Sequence, residues 1–496
     1  MNYISTRDSS HRVTAAEAIL RGIAPDGGLY LPEQLPMLDA AMLERLSRMD
    51  YIGRAKEILS LFLTDYTPAE IAACVEAAYG SGFEDNRPAP LSRIADGSFF
   101  LELWHGPTCA FKDMALQLLP ELLTVAMQKV GGGKQAAILV ATSGDTGKAA
   151  LEGFRDRAGT KIMVFYPEQG VSPMQKRQMY TQQGDNVNVV AIEGNFDDAQ
   201  TGVKAIFADR ALAEKLEQQG YLLSSANSIN WGRLLPQIVY YVSAYCDLVT
   251  GEQLAMGDRV NFCVPTGNFG NILAAHYARG MGLPIQTLLC ASNQNNVLTD
   301  YLQTGVYNRN RTFYPTLSPS MDILISSNLE RLLFELCGRD SAVLCGWMQS
   351  LRETGEFTMD DRAKAMLQQG FWGGSCNDEE TLRMIRVVEE DCSYLCDPHT
   401  AVGVMVASQY KQATGDNTPL VVVSTASPYK FAASVLQALG QTQLPDDDFA
   451  TVRLLEQTTK TTAPQPILDL QTASRRFSTV CTVDEMQAAV ERFLGA

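Results

Sequence analysis

From about residue 98 onward, short apolar runs alternate with stretches of helical pattern, and this alternation limits the chain to very few folds. Phe99 to Leu103, Ala136 to Thr142, Lys161 to Tyr166 (closed by Pro167), Val187 to Ile192, Val260 to Val264 and Leu420 to Ser424 all read as strands. Runs this apolar need cover on both faces, and helices between them supply it. The expected class is α/β, with βαβ units and parallel sheets. In such sheets ligands bind at the carboxyl ends of strands. The segment before residue 98 is helical in pattern, with a turn at Pro25-Asp26-Gly27-Gly28. The closely spaced prolines of Asn86 to Pro90 mark a boundary. No strand stands out between about 330 and 390, which reads as a mostly helical insertion. Near the end, Thr482 and Glu485 form a capping box ahead of Met486, Val490, Phe493 and Leu494, which share one helix face. The expected organisation is an N-terminal domain over 1–97, a core of two α/β subdomains over 98–440, and a C-terminal segment over 441–496.

Charge narrows the choice of ligands. A formal net charge of -16 opposes nucleic acid and anionic membranes, so any anionic ligand needs a local positive site. No apolar run approaches the roughly 20 residues that span a bilayer, and the first residues lack the pattern of a secretion signal. With 11 scattered cysteines, a reducing cytoplasmic setting is expected. Cys392 and Cys396 are spaced for one helix face, but no second pair or histidine cluster completes a zinc site, so no metal is expected.

Three loops follow strand ends. Thr142-Ser143-Gly144-Asp145-Thr146-Gly147 leaves a strand and enters a helix, whose free N–H groups suit an anion such as a carboxylate. It is not a Walker loop: Thr142 stands where the first Gly belongs, and Ala149 follows Lys148 in place of Ser or Thr. An ordinary strand-to-helix turn stays open as the alternative. Gly267-Asn268-Phe269-Gly270-Asn271 lies between a strand and the apolar run from Ile272, the arrangement of a phosphate cradle that needs no net charge. Ser424-Thr425-Ala426-Ser427 ends an all-apolar strand and offers hydroxyls, or simply a cap ahead of Pro428.

One lysine has the setting of a nucleophile. Lys112, between Phe111 and the buried-type residue Met114, is placed where desolvation disfavours an ammonium, and a neutral amine attacks aldehydes. The alternative is a surface lysine beside Asp113. His11, His105, His276 and His399 are too dispersed to suggest a triad, and no nucleophile elbow is present.

Taken in order, these segments resemble the threonine synthase family of fold type II pyridoxal-phosphate enzymes, whose fold is that of the tryptophan synthase β chain. The resemblance rests on Tyr3 to Arg7, Pro25 to Tyr30, His105 to Asp113, Ala141 to Gly147, Ser225 to Asn230, Pro265 to Asn271, Asp397-Pro398-His399, Thr425-Ala426 and Lys430-Phe431. Ser427-Pro428-Tyr429 departs from it, since His-Pro-Ala is commoner there. The resemblance implies that Lys112 forms the Schiff base with pyridoxal 5'-phosphate. It implies that Gly267, Asn268, Phe269, Gly270 and Asn271 hold the cofactor phosphate and that Thr425 bonds the pyridine nitrogen. Ser143, Gly144, Asp145 and Thr146 would grip the substrate α-carboxylate, with Asn227, Asn230 and Arg233 lining the substrate site. Arg233 with Lys176 or Arg177 would meet the substrate phosphate. The implied activity turns O-phosphohomoserine and water into L-threonine and phosphate in a cytoplasmic monomer or homodimer. Related lyases, one giving 2-oxobutyrate from the same substrate and one dehydrating threonine or serine, are the alternatives.

Overall fold

The computed structural model describes residues 1–95, 97–169 and 171–495. Two sheets organise it. The larger runs in the order Phe371–Ser375, Ile285–Ser292, Val260–Pro265, Leu420–Ser424, Ser98–Glu102, Leu91–Ala95. Its first five strands are mutually parallel and Leu91–Ala95 is an antiparallel edge. The smaller sheet, Val480–Cys481, Val187–Ile192, Thr160–Pro167, Gln135–Ala141 and Tyr221–Ser225, is parallel throughout. Every residue of Val260–Pro265 and Leu420–Ser424 is buried, which is why, Asn261 and Ser424 apart, these strands are apolar and not alternating.

The stretch from 330 to 390 corrects the sequence reading. Four helices fill most of it, but Phe371–Ser375 is a strand of the large sheet, paired in parallel with Ile285–Ser292, and Glu356–Thr358 forms a small hairpin pair with Val306–Asn308. Gly373 and Gly374 break the apolar pattern that would have revealed the first. A Cβ on Gly374 would meet Trp372 and Gln409, both at 2.7 Å, so a larger residue there would displace those side chains. The C-terminal segment also joins the smaller sheet: Val480–Cys481 is its edge strand, and the capping box of Thr482 and Glu485 opens the turn ahead of helix Met486–Leu494.

Trp231 joins the N-terminal domain to the core. It is fully buried at the start of helix Trp231–Thr250, with ring centroids of Tyr3, Phe62 and Tyr277 at 5.5, 5.9 and 5.9 Å. The N-terminal motif Tyr3 to Arg7 is held by side chains from distant parts of the chain. Thr6 and Arg7 bind Glu330, Arg7 through two bonds at 3.0 and 2.8 Å, while Asp26 in the turn accepts from Ser5 and from the Gly28 N–H. Among the described residues no helix is long and apolar enough to cross a membrane, and no group of three His, Cys, Asp or Glu could hold a metal ion.

Helix Asp145–Phe154 packs onto the short helix Asp113–Leu116 at Gly153, where a Cβ would overlap the Leu116 carbonyl. Gly153→Ala is therefore expected to cost about 1–3 kcal/mol through overpacking. A lower thermal midpoint checks this, and an unchanged one would show that the two helices separate freely.

Candidate active site

Five loops at strand carboxyl ends converge on one cleft. Lys112, Thr146, Arg233, Gly267, Asn268, Phe269, Gly270, Asn271 and Thr425 all line it.

Lys112 stands immediately before helix Asp113–Leu116. Its segment is stitched to the loop after Leu420–Ser424: the Phe111 N–H donates to the Thr425 carbonyl (2.8 Å), the Ser427 N–H donates to the Cys109 carbonyl (3.1 Å), and Ala110 bridges Ala426. Lysine and hydroxyl are thus fixed together by backbone. Asp113 is not the partner of Lys112. Its carboxylate turns back to accept from the Thr108 N–H (2.8 Å) and hydroxyl (2.7 Å). The Lys112 Nζ lies 4.8 Å from the centroid of the Phe111 ring. Burial, reinforced by Arg233 and Lys430 and opposed by Asp145, pushes its pKa down from 10.5 to about 8.

The glycine loop has the geometry of an anion cradle. Phe269 takes left-handed backbone (φ 65°), an uncommon choice for a bulky residue, with its own ring buried beside Phe371. Helix Gly270–Gly280 begins directly after it. Among the described residues nothing accepts from the N–H groups of Gly267 to Asn271. Asn271 adds a donor: the hydroxyls of Tyr240 (2.6 Å) and Tyr241 (2.5 Å) reach its Oδ1, while its buried Nδ2 has no protein partner. Unbonded buried donors are costly, and here they share one concavity at a helix start. The residues 326–328 buttress this loop. Ser326 donates to the Gly267 carbonyl, Asn328 donates to the Asn268 carbonyl, and the buried Arg331 ties Asn328 to the carbonyls of Tyr30 and Ile229.

Arg233 is buried with no carboxylate partner among the described residues. Nη1 donates to the Ala226 carbonyl (2.6 Å) and Nε has no partner. Burial lowers its pKa to about 10. A buried guanidinium facing a cleft in this way awaits an anion.

Other expected residues sit differently. Thr142 accepts from the Gly144 and Gly147 N–H groups, which shapes the turn into helix Asp145–Phe154, and Thr146 reaches the cleft. Asp145 faces Lys430 at 2.6 Å, and Ser143 and Gly144 do not line the cleft. Asn230 caps helix Trp231–Thr250 and donates to the carbonyls of Ile19 and Ser225, while Asn227 donates to the Ala141 carbonyl. Both are spent on structure, and from that segment it is Ser228 that reaches the cleft. Lys176 donates to the Glu168 carbonyl and Arg177 to those of Leu470 and Gln471 in the C-terminal segment, and neither lines the cleft. The sequence reading missed Gln237, Ser320 and the role of His399. His399 Nδ1 lies 2.5 Å from Asp397 and its Nε2 accepts from the Ser320 N–H (3.2 Å), which places the ring proton on Nδ1. The adjacency of Asp397 and His399 was the only available signal.

The match described as "Pyridoxal-phosphate dependent enzyme" covers residues 85–426, which defines the class of this fold and cleft. "Threonine synthase N terminus" matches residues 2–79 and "Threonine synthase, C-terminal" matches 400–493. Threonine synthase of Pseudomonas aeruginosa is 40% identical over 89% of this chain and 91% of its own length. The human protein "Threonine synthase-like 1" is 40% identical over 91% of this chain, which spans 63% of that longer relative. The crystal structure of pyridoxal-phosphate-bound threonine synthase from Brucella melitensis superposes with a TM-score of 0.88 at 38% identity, covering 100% of both chains. The chain belongs to the threonine synthase family. Its residues fit the family's cofactor: an amine of lowered pKa, a cradle of free N–H groups with Asn271 Nδ2, and a hydroxyl at Thr425 share one cleft.

Two outcomes follow from this geometry. A Cβ on Gly267 would stand 2.5 Å from the Ser320 carbonyl, so Gly267→Ala is expected to displace the cradle. It should weaken cofactor binding roughly tenfold or more in a titration of the stripped protein. The pKa of Lys112 falls from 10.5 in the open chain to about 8 in the fold, so burying its ammonium penalises the cofactor-free fold fully below about 8. The penalty fades as pH rises toward 10.5. Cofactor-free Lys112→Met should therefore melt above the unsubstituted protein at neutral pH, with the gap closing between pH 8 and 10.5. A gap that ignores pH would contradict the burial.

Proposed function

We propose that the chain is a threonine synthase, converting O-phosphohomoserine and water to L-threonine and phosphate with pyridoxal 5'-phosphate held at Lys112. The observation that carries this reading is the coexistence in one cleft of two separate anion sites beside one amine: the free N–H groups of Gly267 to Asn271, and the unpaired Arg233. A cofactor phosphate accounts for the first, and a phosphorylated substrate accounts for the second. A threonine or serine dehydratase has no need of the second.

When bound, pyridoxal phosphate supplies an aldehyde for covalent attachment and an electron sink beside the substrate α-carbon. Lys112 would hold the cofactor through its amine, and when free its side chain would be the base that moves protons at Cα and Cβ. Its lowered pKa keeps a useful neutral fraction near neutral pH. Arg233 receives the substrate phosphate and supports its departure from Cγ. A proton is then delivered to Cγ to complete the methyl group, water adds its oxygen at Cβ, and a proton returns to Cα. The first turn of helix Asp145–Phe154, through Thr146, offers N–H donors to the α-carboxylate. Thr425, which lines the cleft, would offer its hydroxyl to the ring nitrogen. A hydroxyl does not hold that nitrogen protonated as a carboxylate would, which moderates the electron sink and suits elimination followed by addition.

Purified protein loaded with cofactor and given O-phosphohomoserine should release threonine and phosphate in equal amounts. Release of 2-oxobutyrate with phosphate would make it a phospho-lyase, and no phosphate release would remove the reading. Lys112→Ala should lose the visible absorbance of the linked cofactor and lower kcat by on the order of a thousandfold or more.

A further inference from the structure

The loop expected to receive a carboxylate begins with a carboxylate of its own. Asp145 is the first residue of helix Asp145–Phe154, next to Thr146 in the cleft wall, and its side chain is buried. Its charge is felt at Lys112. An unpaired carboxylate so placed in a low-dielectric site would repel both anionic groups of a phosphorylated amino acid. Lys430 answers it. The two side chains lie 2.6 Å apart at 0% and 3% exposure, and Asp145 is held well below the usual carboxylate range: burial opposes its charge, but Lys430 and Lys112 outweigh burial. Lys430 also donates to the Thr108 carbonyl (2.9 Å), and Asp145 accepts from Gln175 (2.9 Å) and Ser320 (3.4 Å).

Lys430 does not line the cleft beside Lys112; it lines a second hollow with Ser172, Met174 and Phe431. Its place in the chain is informative. It lies a short turn beyond Thr425, on the segment that leaves the large sheet, whereas Asp145 leaves the small sheet. The pair therefore cancels a charge and joins the two subdomains across the site.

We propose that Lys430 is the counter-charge of Asp145, a positioning residue that makes the carboxylate loop acceptable to a polyanionic amino acid. This rests on the proposed function for the identity of the substrate, but not for the electrostatics.

The test is calorimetric titration of the cofactor-loaded protein with 2-amino-5-phosphonopentanoate, in which a methylene replaces the ester oxygen so that phosphate cannot leave. The comparison is among the unsubstituted protein, Lys430→Met, and Lys430→Met with Asp145→Asn. Lys430→Met should raise Kd by about tenfold or more, because it leaves a buried charge uncompensated. Adding Asp145→Asn should bring Kd back to within about threefold. Steady-state assays should show the same pattern in KM, with kcat less affected. Should Lys430→Met fail to fold, the doubly substituted protein decides alone: near-unsubstituted affinity supports the pairing, and weak affinity overturns it. An unchanged Kd in Lys430→Met, a loss not restored by Asp145→Asn, or no binding by the unsubstituted protein would each overturn the proposal. Binding that follows the expected pattern without threonine formation would instead count against the proposed reaction alone.

Discussion

A lysine amine attacks an aldehyde only when uncharged, and the arrangement of this cleft follows from keeping Lys112 in that state without losing the anions it must work on. Burial is the largest influence on Lys112, and Arg233 and Lys430 push in the same direction. Those same cations would be ruinous if none were compensated. Asp145 offsets Lys430, whereas Arg233 is left open toward the cleft. The positive potential is thus local and directional, which is how a chain of net charge -16 can hold phosphorylated ligands.

Rigidity comes from outside the cleft. The lysine segment is clipped by backbone bonds to the loop of Thr425, and the glycine loop is backed by residues 326–328. Arg331 and Glu330 connect that backing to Tyr30 and to Thr6 and Arg7 in the N-terminal domain. A motif near residue 5 therefore supports the glycine loop near residue 270. This gives the N-terminal domain a physical role in the site, to which it contributes no lining residue.

Much of this was legible in the sequence because the signals were local. Val187–Ile192 and Leu420–Ser424 have the expected bounds, since strands covered on both faces must be apolar throughout. Lys112, the glycine loop and Thr425 follow strand ends, where parallel sheets place ligands, and the structure brings them together. What escaped depends on tertiary partners. Phe371–Ser375 hides behind two glycines needed for close packing. Asn230 looks like a ligand residue but is consumed as a helix cap. Lys176 and Arg177 carry the right charge, but Lys176 bonds the Glu168 carbonyl and Arg177 holds the C-terminal segment. Lys430 carried no sign of its buried partner, 285 residues earlier in the chain, because nothing in the spacing of the two foretells their contact.

The covalent claim at the centre admits a direct measurement. Protein loaded with pyridoxal phosphate is reduced with borohydride, digested, and mapped by mass spectrometry for the pyridoxyl group. The account requires the label on Lys112. A label on Lys148, Lys430 or any other lysine, with Lys112 unmodified, would contradict it.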